Sequence, residues 1–296
     1  MPRVDVVVVS YNSRGSLRAC LESFAGDPEV NVVVVDNAST DGSLEAIDGL
    51  GATRIRLPDN RGFGPGSNVG WRSGSAPYVL FLNPDARIGL PALRRLVEAL
   101  ESRPEAGAVG PRISDERGTL DRSIRRFPRV RSTYAQALYL HRIFPNASWS
   151  GEVVHDASRY GVASAVEWLS GACLLVRRSV LESLGGFDER FFLYCEDKDL
   201  CRRIWDAGLE VWFEPAAEAV HEGGASAPRS SLLRILAESR IRYARKHLAA
   251  GKAVAEQLGI GLGALTHLLL CRGGRPARSG HYAALRVAAS YRHDQR

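Results

Sequence analysis

Short, unbroken apolar runs alternate with helical periodicity over the first hundred residues. Val4 to Val9 and Val30 to Val35 are β-branched runs of strand length, too continuously apolar to be half exposed. Between them Leu17, Cys20, Leu21 and Phe24 recur at helical spacing behind Asn12 and Ser13, either of which can cap a helix. Strand, helix, strand at this spacing is a βαβ unit, so the pattern predicts an α/β fold on a parallel sheet. Arg54 to Leu57 adds a short third strand, and Tyr78 to Leu82 a fourth that reads as buried on both faces. Leu93, Leu96, Val97 and Leu100 line one side of a helix from about Leu90 to Ser102. Residues 103–167 carry no comparable period. Trp168 to Val176 then reads as one strand, Leu200, Ile204 and Trp205 as the apolar side of a helix, and Val211 to Phe213 as a short strand. Ser231 to Leu248 is expected to be helical. Residues 253–271 are apolar but broken by Glu256, Gln257, His267 and three glycines, which fits an interfacial helix better than a membrane span.

Charge divides the chain where periodicity does not. Residues 229–296 hold 13 Lys/Arg against Glu238, Glu256 and Asp294, a net of +10, and residues 1–228 hold 26 against 30, a net of −4. A basic tail on a mildly acidic body predicts an anionic partner for the tail. Nucleic acid is disfavoured, because the tail interleaves few aromatics (Tyr243, Tyr282, Tyr291) with its cations. The five cysteines are odd in number and form no CxxC pair, so reduced thiols, a cytosolic setting and no zinc site are expected. Met1 runs straight into a strand pattern, with no signal peptide expected.

Candidate chemistry collects at the ends of the apolar runs, where open α/β sheets bind ligands. Asn83-Pro-Asp85 closes the fourth strand, and an amide and a carboxylate two residues apart can face one hard cation carrying a diphosphate. The same three residues could equally build a turn and cap the next helix. Asp36 closes the second strand, where it can accept hydrogen bonds from a base or ribose, or form an Asx turn with Asp41. In the stretch from Asp59 to Gly70, read as a loop, Gly62 and Gly64 fit a dinucleotide fingerprint. Ser67 occupies the third glycine position and the stretch follows the third strand, so a dehydrogenase is disfavoured; Arg61 could still meet a phosphate. Glu196, Asp197 and Asp199 start the helix that carries Leu200. Acids there suit the helix dipole, yet Tyr194, Phe191 and Phe192 suggest a partly apolar setting that would raise a carboxylate toward a useful base. His221 alone reads as structural unless it joins the rest of the site. Arg122, Arg125 and Arg126 form a cationic loop suited to anionic groups or to solvent.

Together these motifs resemble the family-2 glycosyltransferases of the GT-A fold, most closely their rhamnosyltransferase-type branch, over roughly residues 4–250. The resemblance rests on Val-Ser-Tyr-Asn at 9–12, Asp36 to Asp41, Asn60 to Gly64 with Asn68, Asn83-Pro-Asp85, Trp168 to Gly171, Gly185 to Glu189, Glu196-Asp197 with Asp199, and His221-Glu-Gly-Gly224, in that order. It implies a nucleotide-sugar pocket from Ser10, Asn12, Asp36, Arg61, Gly62, Asn68 and Asn83. It implies Mg²⁺ or Mn²⁺ held by Asp85 and His221, and Asp197, beside Glu196, as the general base of an inverting displacement. Trp168 and Asp199 would meet the acceptor. Within this branch dTDP-L-rhamnose is the common donor, and a polyprenyl-diphosphate-linked GlcNAc would give the basic tail an anionic membrane surface to hold. The implied organisation is a catalytic domain over 1–228, with a nucleotide-sugar half at 1–105 and an acceptor half at 106–228, followed by a helical tail at 229–296. The implied location is peripheral at the inner face of the cytoplasmic membrane. Two alternatives stay open: transfer of another hexose from a UDP-sugar, and a catalytically silent nucleotide-sugar or lipid-binding subunit. The tail could also serve as a homo-oligomer contact.

Overall fold

The computed structural model describes residues 2–223, 229–270 and 274–291. Gly224 of the His221 motif, Cys271 and the last five residues lie outside them. In chain order the elements are β1 (Val4–Ser10), α1 (Leu17–Leu21), β2 (Val30–Asp36), β3 (Thr53–Arg56), α2 (Phe63–Arg72), β4 (Tyr78–Leu82), β5 (Ala86–Ile88) and α3 (Leu90–Glu101). Then come β6 (Ala106–Ser114), β7 (Leu120–Asp121), β8 (Ile124–Arg125), α4 (Val130–Ala137), α5 (Leu140–Ile143), β9 (Ser164–Val166), β10 (Trp168–Leu169), β11 (Cys173–Arg177), α6 (Arg178–Leu184), α7 (Glu196–Asp206) and β12 (Glu210–His221). Three helices follow: α8 (Arg229–His247), α9 (Ala250–Leu270) and α10 (Gly274–Ser290).

The chain forms two compact units. The first comprises Met1–Arg125, Asp156–Arg190 and Glu196–Ser226, and the second Arg126–His155, Phe191–Cys195 and Ala227–Arg296. The expected boundary near 228 falls close to the end of the first unit, but residues 126–155 and 191–195 group with the C-terminal helices. Nothing in the local pattern of 126–155 marks that membership.

The first unit is a mixed sheet in the order β3-β2-β1-β4-β11-β6-β12-β5. Its first four strands are parallel, as the βαβ pattern predicts, whereas β11 runs antiparallel to both β4 and β6. Every residue of β1 and β4 is buried, which explains their lack of alternation. From Phe63 onward the stretch read as a glycine loop is instead helix α2. A Cβ on Gly70 would lie 2.3 Å from Val7 Cγ1, and one on Gly66 2.9 Å from Val9 Cγ1, so these glycines let the helix sit directly on β1. Trp168 to Val176 is two strands, β10 and β11, separated by Ser170–Ala172. At the start of β1, buried Asp5 is held by Arg178 at 2.5 Å, Asn31 at 2.7 Å and the Ala76 N–H at 2.9 Å.

The second unit is helical. Its core of Ala237, Ile241, Ile260, Ala264, Ala284 and Ala288 is small-sided, and Gly259 brings α9 against Thr133 and Tyr134 of α4. Arg240 is half-buried between Glu152 and Glu256, at 3.5 Å from each, and reaches Thr133 Oγ1 at 3.1 Å. Thr133 also donates a hydrogen bond to Glu256.

Candidate active site

All the sequence-predicted site residues lie in the first unit. Parallel strands with valines in register bring their polar ends level at one edge of the sheet. Ser10 and Asp36 are register partners at the ends of β1 and β2. Both are buried, and neither Ser10 Oγ nor Asp36 Oδ1 has a hydrogen-bond partner in the protein, while Asp36 Oδ2 accepts from the Ser39 N–H at 3.2 Å. Buried polar atoms ordinarily find partners, so this oxygen pair leaves hydrogen-bonding capacity that a polar ligand could meet. Asn12, in the left-handed region at φ 51°, accepts from the Thr40 N–H at 3.0 Å and ties the β1 loop to the β2 loop. Asn37 does the same one step further on: its Oδ1 accepts from the Arg61 N–H at 3.2 Å and its Nδ2 donates to the Gly62 carbonyl at 2.8 Å. Arg61 itself is exposed and paired with Asp59 at 3.3 Å.

Asn83 and Asp85 follow β4, and the long strand β12 carries His221 to them by pairing with β5, where His221 and Ala86 are register partners. His221 Nε2 lies 3.2 Å from Asp85 Oδ1 and 3.4 Å from Asn83 Nδ2, and Nδ1 lies 3.7 Å from Asp121 Oδ2. Burial opposes a charge on this ring. The flanking carboxylates of Asp121 and Asp85 prevail and push it up to about 9. Asp121 is lowered in turn by the His221 ring, against the opposing effect of burial. Once the proton has left the His221 ring, an amide oxygen, a carboxylate oxygen and an imidazole whose second nitrogen faces a carboxylate would fit a divalent cation of the Mg²⁺ or Mn²⁺ kind. No group of three or more His, Cys, Asp or Glu able to hold an ion by itself occurs among the described residues. Such a cation would therefore draw further oxygens from a phosphate-bearing substrate.

Asp197 stands on the first turn of α7, half-buried. Its Oδ2 accepts from the Gly171 N–H at 2.9 Å and its Oδ1 from the Lys198 N–H at 2.7 Å. The neighbouring residue Ala172 accepts from the Asn83 N–H at 2.9 Å. The break between β10 and β11 thus joins the cation-competent cluster to the carboxylate of Asp197 through two successive residues. Glu196 is buried, and its Oε2 has no partner in the protein. Burial, reinforced by the charge of Asp197, pushes its carboxyl well above the usual range.

Three expected ligand residues are placed differently. Asn68 is 1% exposed and its amide is fully engaged, donating to the Phe187 carbonyl and Glu189 and accepting from Trp71 and the Phe187 N–H; it fastens α2 to the Gly185 turn. Asp199 is fully buried and paired at 2.8 Å with Arg203, which also donates to the Leu184 and Gly186 carbonyls, so it organises α7 and offers nothing to an acceptor. Trp168 is 8% exposed, with Lys198 Nζ 5.0 Å and the Arg125 guanidinium 5.9 Å from its ring centre, an arrangement that shows a sugar little ring face. Asp121 and Asn37 were missed. Asp121 sits in the stretch without periodicity and gives no signal, whereas Asn37 directly follows a strand-ending aspartate.

Glycosyl transferase family 2 matches residues 5–185. The chain is 34% identical over 256 residues to an N-acetylglucosaminyl-diphospho-decaprenol L-rhamnosyltransferase of Mycobacterium tuberculosis, covering 81% of this chain and 82% of that one. It is 28% identical over 230 residues to the rhamnosyltransferase WbbL of Escherichia coli, covering 74% and 83% respectively. Among solved structures it is similar to the mannosyltransferase PcManGT of Pyrobaculum calidifontis in complex with GDP-Man and Mn²⁺, with a TM-score of 0.61 at 17% identity, over 99% of this chain and 88% of that one. With a mixed sheet of the GT-A kind and these polar groups at its edge, the chain belongs to glycosyl transferase family 2.

Proposed function

We propose that this glycosyltransferase moves L-rhamnose from dTDP-L-rhamnose to a GlcNAc-diphospho-polyprenol, with inversion, in the assembly of a cell-wall or surface glycan. The observation that carries the reading is the bridge at Gly171-Ala172, which links a cation-competent cluster to a half-exposed carboxylate. Glycosyl transfer needs both: a leaving diphosphate that is neutralised, and a base at the incoming hydroxyl. Ser10 and Asp36 would receive the base and ribose of the donor, with Asn12, Arg61 and Gly62 lining the same pocket. Asp85 and His221, with Asn83, would hold Mg²⁺ or Mn²⁺, which supplies charge neutralisation to the departing diphosphate. Asp197 would take the acceptor's proton while the Gly171 N–H keeps its Oδ2 in place. Neutral Glu196 would spare the site a second negative charge. The rhamnosyl relatives favour the donor and acceptor named here.

The second unit is read as the part that meets an anionic membrane surface from the cytoplasmic side. Unit 2 holds 17 Lys/Arg against four Asp/Glu, a net of +13, which leaves the first unit 22 against 29. Of the thirteen large apolar side chains that stand exposed among the described residues, eleven belong to unit 2. Helix α9 is the one described helix long and apolar enough to cross a membrane, with 28% of its most apolar stretch buried. Ala253, Glu256, Gly259, Ile260 and Ala264 turn inward, while Val254, Leu258, Leu265 and Leu269 stand out. That division suits a helix lying in the interface.

The deciding experiment incubates the protein and Mn²⁺ with dTDP-L-rhamnose, UDP-galactose or UDP-glucose and a short-chain GlcNAc-diphospho-polyprenol. Rhamnosylated product from the first donor alone is expected. Transfer from a UDP-sugar would replace the donor assignment, and no transfer from any would favour a binding subunit. Replacing Leu258, Leu265 and Leu269 with Ser should release the protein from anionic vesicles without loss of this transfer; retention on the vesicles would remove α9 from the interface.

A further inference from the structure

Three neighbouring strands end level with one another, and their last residues form a polar row. Ser10 closes β1, Asp36 closes β2 and Arg56 closes β3. Asp36 is the register partner of Ser10 on one side and of Arg56 on the other. Register partners in a sheet turn to the same face, and residues two apart along a strand share it. Here it is the face on which Val6, Val8 and Val34 are buried. Asp36 therefore stands between a hydroxyl and a guanidinium, with Arg56 Nε 3.9 Å from its Oδ2. The Arg56 side chain is 62% exposed, so the row runs from a buried end at Ser10 to an open one. Arg56 also meets Glu45 at 3.1 Å, an exposed pair of the kind that contributes little and that a ligand can displace.

The two carboxylate oxygens of Asp36 are not equivalent. Oδ2 takes the Ser39 N–H at 3.2 Å and the charge of Arg56, whereas Oδ1 and the Ser10 hydroxyl are buried without a partner in the protein. The row thus offers a ligand one acceptor, Asp36 Oδ1, with an O–H donor on one side and guanidinium N–H donors on the other. A pyrimidine-2,4-dione, the ring of uracil and thymine, presents the complement along one edge: an N–H between two carbonyl oxygens. Cytosine carries a bare ring nitrogen where the dione has N–H, and an amino group where it has the carbonyl at position 4. That edge sets a lone pair against the carboxylate and leaves buried polar groups unpaired, which is costly. Strand order fixes which carbonyl meets which residue. The sheet runs β3-β2-β1-β4, so the Asn83–Asp85 cluster after β4 lies beyond Ser10, on the side away from Arg56. A donor whose diphosphate reaches that cluster turns its ribose, and the carbonyl at position 2 beside it, toward Ser10. The carbonyl at position 4 then faces Arg56.

Given the donor pocket proposed above, we infer that Arg56 is a specificity-determining residue within it. Arg56 reads the carbonyl at position 4 of the base, in a Ser10–Asp36–Arg56 row that admits pyrimidine diones and rejects cytosine.

The test titrates the full chain, with Mn²⁺ present, with dUDP and with dCDP, which share sugar and diphosphate and differ only along the edge in question. Binding is read by calorimetry, and circular dichroism checks the fold of each variant. The wild type is expected to bind dUDP at least about tenfold more tightly than dCDP. Arg56→Ala, at an exposed position, should weaken dUDP about tenfold and leave dCDP nearly unchanged. Equal losses for both would make Arg56 a general attractor of diphosphate and overturn the assignment. Asp36→Asn is the second variant. The Ser39 N–H requires an acceptor at the place of Oδ2, so the amide oxygen settles there and the amide N–H₂ replaces Oδ1. The preference for dUDP should then fall at least about tenfold, because the ring nitrogen of cytosine accepts that N–H. An unchanged preference would overturn the row. A wild type that binds dUDP and dCDP alike defeats the row and leaves the pocket standing. A wild type that binds neither removes the donor pocket and the row with it.

Discussion

The two units bury charge in different ways around different cores. The first surrounds Asp5, at the start of a strand of valines, with one guanidinium, one amide and a backbone N–H. The second surrounds Arg240 with two carboxylates and a hydroxyl among alanines and glycines. The first gathers its polar groups at a sheet edge and, among the described residues, exposes only Tyr11 and Val162 of its large apolar side chains. The second exposes eleven such side chains among its described residues and carries the positive charge. A core of β-branched strands fixes atoms in register, which chemistry requires. A core of small side chains brings helices close and turns their larger side chains outward, which suits contact with something else.

The largest expected effect concerns that division of labour. Asp197→Asn should lower turnover about 10²–10⁴-fold, the usual worth of a general base, with the melting midpoint and donor-induced stabilisation nearly unchanged. Near-normal turnover in a single-turnover assay would move the base elsewhere. Next come the buried charges. Asp5→Ala strands Arg178 and should cost about 3–5 kcal/mol. Arg240→Ala strands Glu152 and Glu256 and should cost a similar amount. Urea unfolding followed by tryptophan fluorescence and by circular dichroism would show each variant lowering a different transition if the units melt apart; coincident shifts of one transition would make them a single cooperative block.

The smallest effect is electrostatic. The folded state holds Glu196 protonated well above the ordinary carboxylate range. A raised carboxyl stabilises the fold most at acid pH, and that contribution is lost as pH rises from the unfolded value through the folded one. Glu196→Gln should therefore match the wild type near pH 4 and melt higher than it above neutrality. Parallel pH–stability curves would show that Glu196 does not hold its proton in the fold.

Much of the catalytic half was legible because its strands are apolar without alternation and end in Asp36 and in Asn83-Pro-Asp85, where a polar side chain after such a run has little else to do. The glycines from 62 to 70 misled in one respect. Gly66 and Gly70 read as part of a loop, whereas their close approach is that of α2 to Val9 and Val7. Nor do residues record their partners: Asn68 and Asp199 carry the expected polar groups, but Phe187 and Arg203 consume them. Strand β6 escaped notice because Ala106-Gly-Ala-Val-Gly-Pro has little apolar bulk, and its place beside β11 is set by partners far away in the sequence.

The antiparallel insertion of β11 reaches into synthesis of the chain. Leu82 of β4 is the register partner of Cys173. Ribosomes add about 5–20 residues per second, so the fully apolar β4 leaves the ribosome on the order of ten seconds before the strand that covers its edge. During that wait any sheet formed by β1, β2 and β4 would have the β4 edge uncovered. Nascent chains of this protein should therefore be clients of a holding chaperone until residue 177 has emerged, and codons that slow elongation between positions 83 and 172 should lower the soluble yield.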